Sequence, residues 1–424
     1  VLLNVHYVRC VQLASNRRTT GVFSALKSDG SLVTWGDQFN GGDSSTVSTA
    51  LSNNVTTVFS THYAVAALKL DGSVVSWGDE EKGGDSSAGA FAALKKGGKV
   101  ITWGPSTYGG DSKYYSDLLA DGVVSVTSTY AAFAALKFDG SVVSWGASMY
   151  GGGSSTSSQL TDVVTIFASH AAFAALMSDG SVTAWGDAEF GGDTSNVAES
   201  LKSDVTTVYS NWGSFAALKS DGSVVTWGGD FGGDSSSVES QLTSGVTKVY
   251  STSYAFAALK SDGSVVTWGY GPSGGNSSEV SADLNGIELL YTNDFAFAAK
   301  KSDGSILTWG SASDGGDSSN VTTELTSGVD VIYASQRAFA ALKFDGSVVT
   351  WGNAGSGGDS STVTADLMSG VKVVYSSVPA FAALKSNGSV ITWGSDIYGG
   401  NSRTVASELI DSVVMVFGND GDNN

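Results

Sequence analysis

Three residue types recur at fixed spacing in this 424-residue chain, and each could do chemistry. In the stretch FAALKSDGSVVTWG, residues 215–228, a lysine stands two residues before an Asp-Gly pair, and a tryptophan closes the stretch. A lysine beside a carboxylate could shuttle protons. Exposed tryptophans could cage a ligand. An aspartate follows a later Gly-Gly pair, as at Asp43, Asp85, Asp111, Asp193, Asp234, Asp317 and Asp359, and a ring of such carboxylates could attract Ca²⁺. Which of these is chemistry and which is scaffold depends on the elements that hold them.

Those elements repeat. The Trp-Gly pair falls at Trp35, Trp77, Trp103, Trp145, Trp185, Trp227, Trp268, Trp309, Trp351 and Trp393. The steps between them are 42, 26, 42, 40, 42, 41, 41, 42 and 42, so one unit is short and the rest agree. Each unit reads as a first strand such as VTTVYS (205–210), a hairpin such as 215–228, and a loop such as GDFGGDSSSVESQLTSG (229–245). Asp221-Gly222 predicts a two-residue turn, which pairs Leu218 with Val225 and sets Ala216 opposite Trp227. Both faces of that hairpin are largely apolar, so sheets must stack on sheets. In the loop, Val238 and Leu242 lie four apart and predict one helical turn capped by Ser or Asp, its apolar side facing inward.

The short unit, about 79–104, lacks the helical turn and the first strand, which predicts a thinner blade or a seam there. At the far end SVVMVFG (412–418) is an extra copy of the first strand, placed to complete the tenth hairpin's sheet. The reading is a single array of ten repeats over 1–418, followed by an acidic tail, 419–424, expected to be disordered. The fold class is all-β, a propeller of antiparallel blades with about ten hairpin repeats. Closure removes exposed sheet edges and favours one large ring; an open β superhelix of the same units is the alternative.

The AL-x-x-DG-x-V-x-x-WG core followed by a glycine turn resembles the regulator of chromosome condensation repeat family, over essentially 1–418. The resemblance implies a β-propeller. The chain departs from it in having ten hairpins where family rings usually have seven, and Gly-Gly-Asp-Ser where that family's turn reads Gly-Gln-Leu-Gly. A plant ultraviolet photoreceptor belongs to the same family and relies on tryptophans beyond the repeat's own. Here only Trp212 lies outside the pattern.

The repeats therefore argue for structural duties. The ten repeat tryptophans are expected in the blade core. Lysine precedes the hairpin turn in nine of ten units, Met177 being the exception; aspartate occupies the turn in eight, with Gly97 and Asn387 in the others. Turn chemistry explains the aspartates. The Gly-Gly-Asp carboxylates recur only once per unit, too sparsely to close a Ca²⁺ shell, and read as turn caps. The three histidines, His6, His62 and His170, lie in no metal-spacing motif. His62 and His170 share a slot before the hairpin that elsewhere holds Tyr130, Trp212, Ser253, Asp294 or Gln336, so a histidine is not needed there. No phosphate-binding loop, dinucleotide fingerprint or nucleophile elbow appears. No catalytic, cofactor or metal site is expected.

Net charge is −19, with Arg17-Arg18 the one arginine pair, which disfavours nucleic acid and anionic lipid as partners. No apolar run is long enough to span a membrane. The single cysteine, Cys10, allows no intrachain disulfide. A chain beginning at Val1 reads as a processed product or a fragment. The expected role is a non-enzymatic scaffold whose loops bind a protein partner; the alternatives are a structural subunit of a self-assembling or larger complex, and a guanine-nucleotide exchange factor. Specificity should lie where the units differ, between Trp-Gly and Gly-Gly. Tyr108, Tyr150, Phe190, Phe231 and Tyr398 are the candidate contacts there.

Overall fold

The computed structural model describes residues 13–15, 21–60, 64–78, 90–95 and 97–418. Cys10, His6, His62, Asp85, Arg17, Arg18 and the tail 419–424 lie outside them. The architecture is all-β: ten three-stranded antiparallel sheets, arranged as the blades of a propeller. Sheets are numbered here by their hairpins, from Val22–Lys27/Leu32–Gly36 in sheet 1 to Ala380–Lys385/Val390–Gly394 in sheet 10.

Within sheet 6 the strands are Val205–Ser210, Ser214–Lys219 and Val224–Gly228. The hairpin register differs from the two-residue-turn expectation by one position. Phe215, not Ala216, faces Trp227, and Leu218 faces Val224. The cause is at the tip. Gly222 N–H donates to Lys219 O at 2.9 Å and Lys219 N–H to Ser223 O at 2.9 Å, a turn of three residues. Gly222 alone takes positive φ, +79°, while Asp221 stays at negative φ because its carboxylate accepts from Ser223 N–H at 2.8 Å and Ser223 Oγ–H at 2.6 Å. This is the type I turn with a glycine bulge, not the turn that needs positive φ twice.

The one-residue shift decides the packing. Cross-strand neighbours Phe215 and Trp227 share a face and stack, ring centres 5.2 Å apart at 18°. That bulky face, with Ala217, packs on Ala172, Ala174, Leu176 and Ala184 of sheet 5. The other face of sheet 6, carrying Ala216 and Leu218, receives Phe256 and Trp268 of sheet 7. Large side chains from one blade thus fill the room left by alanines of the blade before it, as close packing requires. Leu242, at the end of the helical turn, is buried under the same layer, with Val238 at its edge.

The clusters run in a closed cycle, each sheet touching the next and sheet 10 touching sheet 1. The last strand, Val413–Phe417, does not complete the tenth hairpin, whose edge is already taken by Val371–Ser377. It pairs instead with Val22–Lys27 of sheet 1. The short third unit is not a two-stranded blade either: Leu13–Ser15 pairs with Phe91–Ala93 and supplies its missing strand. Strands from near both ends of the sequence are therefore tied into sheets far from them along the chain.

First strands of successive sheets touch one another, for example through Ser210 Oγ to Ala168 O at 2.7 Å and Ser251 Oγ to Ser210 O at 3.0 Å. They lie nearest the axis. The antiparallel order then puts all hairpin tips on one rim and, on the other, the turns between first and second strands together with the loops that follow Trp-Gly.

Candidate functional site

On the hairpin rim the recurring side chains are already engaged. The turn carboxylates of Asp29, Asp71, Asp139, Asp179, Asp221, Asp262, Asp303 and Asp345 each hold the serine two residues on, and this hydroxyl bond, followed by the backbone one, lowers their pKa below the usual carboxylate value. The lysine reaches back to the end of the preceding helical turn: Lys219 Nζ donates to Ser200 O at 3.0 Å and Lys260 Nζ to Gln241 O at 2.9 Å. Cations at the free carbonyls of a helical turn are electrostatically favourable.

The repeat tryptophans are in the blade interiors, nine of them 0–4% exposed and Trp103 half-buried. Each of the nine donates its indole N–H to a glycine carbonyl in the loop of the preceding unit, as Trp227 does to Gly191 at 3.0 Å and Trp35 to Gly399 at 3.1 Å. The Gly-Gly-Asp carboxylates also turn inward on their own loops. Asp43, Asp193, Asp234, Asp317 and Asp359 each accept from the N–H two residues on at 2.8 Å, and that backbone bond lowers their pKa. Among the described residues no group of three or more His, Cys, Asp or Glu is placed to hold a metal ion. Among the described residues no helix is long and apolar enough to cross a membrane.

The loop rim is different. Its turns are joined from blade to blade by backbone hydrogen bonds: Tyr130 N–H to His170 O, His170 to Trp212, Trp212 to Ser253, Ser253 to Asp294, Asp294 to Gln336 and Gln336 to Val378, at 2.7–3.2 Å. What the slot supplies in every one of these blades is its backbone, which is why it accepts tyrosine, histidine, tryptophan, serine, aspartate, glutamine and valine. The residue before it is always small and polar, and buried: Thr129, Ser169, Asn211, Thr252, Asn293, Ser335 and Ser377. That side chain clamps the loop after Trp-Gly. Thr129 Oγ1 donates to Tyr150 O at 2.9 Å, Ser169 Oγ to Phe190 O at 2.7 Å, Asn211 Nδ2 to Phe231 O, and Ser377 Oγ to Tyr398 O at 3.1 Å. Sequence reasoning missed these clamps; the recurrent Ser, Thr or Asn was the signal for them.

The clamp fixes where the loop aromatics stand, and they interleave with the slot residues. Tyr108 meets Tyr130 (ring centres 5.7 Å), Tyr130 meets Tyr150 (5.6 Å) and His170 (4.9 Å), and His170 meets Phe190 (5.5 Å) and Trp212 (5.0 Å). The run continues from Trp212 to Phe231 (5.4 Å), Phe231 to Tyr254 (4.9 Å) and Tyr254 to Phe295 (5.9 Å). It ends on Arg337, whose guanidinium lies 4.9 Å from the Phe295 ring centre. All these rings are half-buried, presenting edges or faces outward along units 3–8. Four of the five predicted contact residues, Tyr108, Tyr150, Phe190 and Phe231, fall in this belt. Tyr398 stands apart from it in unit 10, 40% exposed and packed on Gly21.

Nearer the axis the first strands carry Tyr209, Tyr250, Tyr291 and Tyr333. Burial raises the pKa of each hydroxyl, partly offset by a backbone hydrogen bond at the next sheet. Two shallow clefts of about 490 and 340 Å³ lie where unit 10 meets unit 1, lined by Ser44, Thr404 and Glu408 in the first and Phe39, Asp396 and Arg403 in the second. Neither adjoins the belt.

No family model matches the chain, and no curated protein does. Among solved structures it is similar to the entire ectodomain of the Physcomitrella patens receptor kinase CR4, at 16% identity and TM-score 0.36, covering 63% of this chain and 71% of that one. It is also similar to yeast RCC1 (Prp20) bound to Kap60, at 14% identity and TM-score 0.36, covering 70% and 80%. A third is the computationally designed Ika8 protein, at 14% identity and TM-score 0.33, covering 80% and 96%.

Proposed function

We propose that this chain is a non-enzymatic repeat scaffold that binds a protein partner through its loop rim. The aromatic belt carries the reading. A connected run of half-exposed rings is what protein interfaces are enriched in, and it sits on a rim whose framework is fixed by backbone and clamp bonds. The rings are pre-positioned, so little ordering is lost on docking. Among the described residues the hairpin rim offers no such run: its large exposed side chains Leu70, Phe138 and Phe344 sit on separate tips.

A pull-down from the native source tests this, with wild-type chain, a Tyr150→Ala/Phe231→Ala variant, and a Phe138→Ser control on the opposite rim. A saturable partner kept by wild type and control and lost by the belt variant supports the reading. The same partners in all three eluates would sink it.

A structural, self-assembling role is a second reading, favoured by one observation. Sheets 1 and 3 each take a strand from far along the chain, and strands of that kind can be exchanged between copies. Concentration-dependent mass in sedimentation supports it; a monomer at all concentrations excludes it.

A further inference from the structure

We propose that the loop rim recognises an arginine-bearing segment of its partner, with guanidinium groups stacked on the Trp212–Phe231–Tyr254 stretch and paired with carboxylates of the same loops. The inference rests on the reading of this rim as a protein-binding surface and adds the chemistry of what it binds.

The first observation is the belt's own terminus. Arg337 lies over Phe295 at 4.9 Å, and its Nη1 stands 3.9 Å from Asp314 Oδ1. Asp314 is only 7% exposed, and this oxygen has no hydrogen bond. A guanidinium over an aromatic face with a carboxylate at its edge is thus already built into the rim once, by the chain itself. Planar guanidinium is suited to that arrangement because it stacks and forks to a carboxylate at the same time, which a lysine ammonium does not.

The second observation is charge. One blade and two blades back along the belt, the same kind of aromatic face recurs at Tyr254, Phe231 and Trp212, and carboxylates accompany it. Asp187 and Glu189 share the loop of Phe190, and Asp230 precedes Phe231. The turns of this rim and the stretches between Trp-Gly and Gly-Gly, from residue 187 to 295, contain no lysine or arginine; Lys202, farther along its loop, is paired with Glu199. Glu189 and Asp230 are exposed. The stretch therefore has the aromatic and acidic halves of the Arg337 arrangement and lacks the cation, which the partner would supply. Net charge of −19 steers such a segment inward from a distance and repels phosphate-bearing polymers.

The test is fluorescence anisotropy of a labelled peptide carrying four arginines spaced by Gly-Ser, against lysine and glutamate versions. It uses the full chain and four pairs of substitutions. Trp212→Ala/Tyr254→Ala should weaken the arginine peptide about tenfold or more, as loss of two cation–aromatic contacts implies. Trp212→Phe/Tyr254→Phe, which keeps the faces, should bind within about threefold of wild type and guards against simple misfolding. Glu189→Gln/Asp230→Asn should weaken binding and flatten its salt dependence, whereas Asp139→Asn/Asp262→Asn removes equal charge from the hairpin rim and should change little. The lysine peptide should bind less tightly and the glutamate peptide not at all. Equal weakening by the two charge-removing pairs would assign the attraction to the diffuse field of an acidic chain and overturn the proposal. So would an unaffected Trp212→Ala/Tyr254→Ala variant. If the pull-down yields a belt-dependent partner while no arginine peptide binds, the guanidinium inference fails and the protein-binding reading stands.

Discussion

The two rims are built by the same ten units and come out with opposite properties. On the hairpin rim the turn carboxylates and six of the recurring lysines are engaged within the chain, as Asp221 is by Ser223 and Lys219 by Ser200 O. On the loop rim the recurring residues, the glycines and the small polar clamps, are engaged too, but the slot positions between them have only a backbone duty in common. His170 and Trp212 are joined through backbone N–H and C=O, and their rings add the contacts of the belt. A position with a backbone-only duty is free to vary, and that is where a repeat protein can place recognition without disturbing its frame. Function should therefore be removable from the loop rim at small cost in stability, whereas removing what repeats should cost stability first.

The largest test of that contrast pairs two tryptophans of the same unit. Trp227→Ala removes a buried indole, its stack on Phe215 and its bond to Gly191 O, and should cost about 3–5 kcal/mol in guanidinium denaturation. Trp212→Ala removes half-buried ring contacts and an indole N–H that has no hydrogen bond, and should cost about 1 kcal/mol. Equal costs would make the belt a second core and erase the distinction.

Glycines refine it. Gly191 has φ +93°, and a Cβ there would stand 2.6 Å from the Phe215 ring, so Gly191→Ala combines backbone strain with overpacking, about 2–4 kcal/mol. Gly304, at a hairpin tip, has φ +82° with open space around it, so Gly304→Ala carries the backbone term alone, about 1 kcal/mol. Thermal or chemical midpoints of the two variants check the order. A larger loss at Gly304 would mean that the loop framework under the belt is not the rigid part.

Much of this was legible in the sequence. Ten units, their antiparallel hairpins and the aromatic loop residues all followed from the period and from Asp-Gly and Trp-Gly. The hairpin register did not, because Asp-Gly serves two turn types and the choice rests on Ser223, whose bond to Asp221 keeps that residue at negative φ. Nor did the strand partners of sheets 1 and 3, since a first-strand sequence fits any unoccupied edge and only the whole cycle shows which edges are empty. The belt was half visible. Tyr108, Tyr150, Phe190 and Phe231 stand out as variable aromatics, but their convergence with Tyr130, His170 and Trp212 depends on the spacing between blades, which no single unit encodes.

The lysines of the hairpin rim should matter least to recognition. Lys219→Met copies what sheet 5 has at Met177, and loses one partly solvated bond to Ser200 O. A cost below about 1 kcal/mol, with partner capture unchanged, is expected. A loss of capture without loss of stability would place recognition on the wrong rim.

The smallest effect, and the sharpest in sign, is pH. The Asp221 carboxylate is held below its ordinary pKa by its bonds to Ser223 Oγ–H and N–H and, more weakly, by Lys219. A group with a lowered folded pKa stabilises the fold above the unfolded value, about 3.9, and loses that contribution as pH falls through the folded value. Unit 10 offers a built-in control: Asn387 makes the same two bonds, to Ser389 N–H at 3.0 Å and Ser389 Oγ at 2.7 Å, with no charge to titrate. Asp221→Asn should therefore be less stable than wild type at pH 7, with the gap in urea midpoint closing as pH falls below the carboxylate range. Asn387→Asp should do the reverse, adding stability at pH 7 that disappears in acid. A gap that stays constant from pH 7 to strong acid would mean that the turn values the shape of the acceptor and not its charge. The hairpin rim would then be electrostatically silent as well as uniform, leaving the loop rim the sole carrier of charge-dependent behaviour.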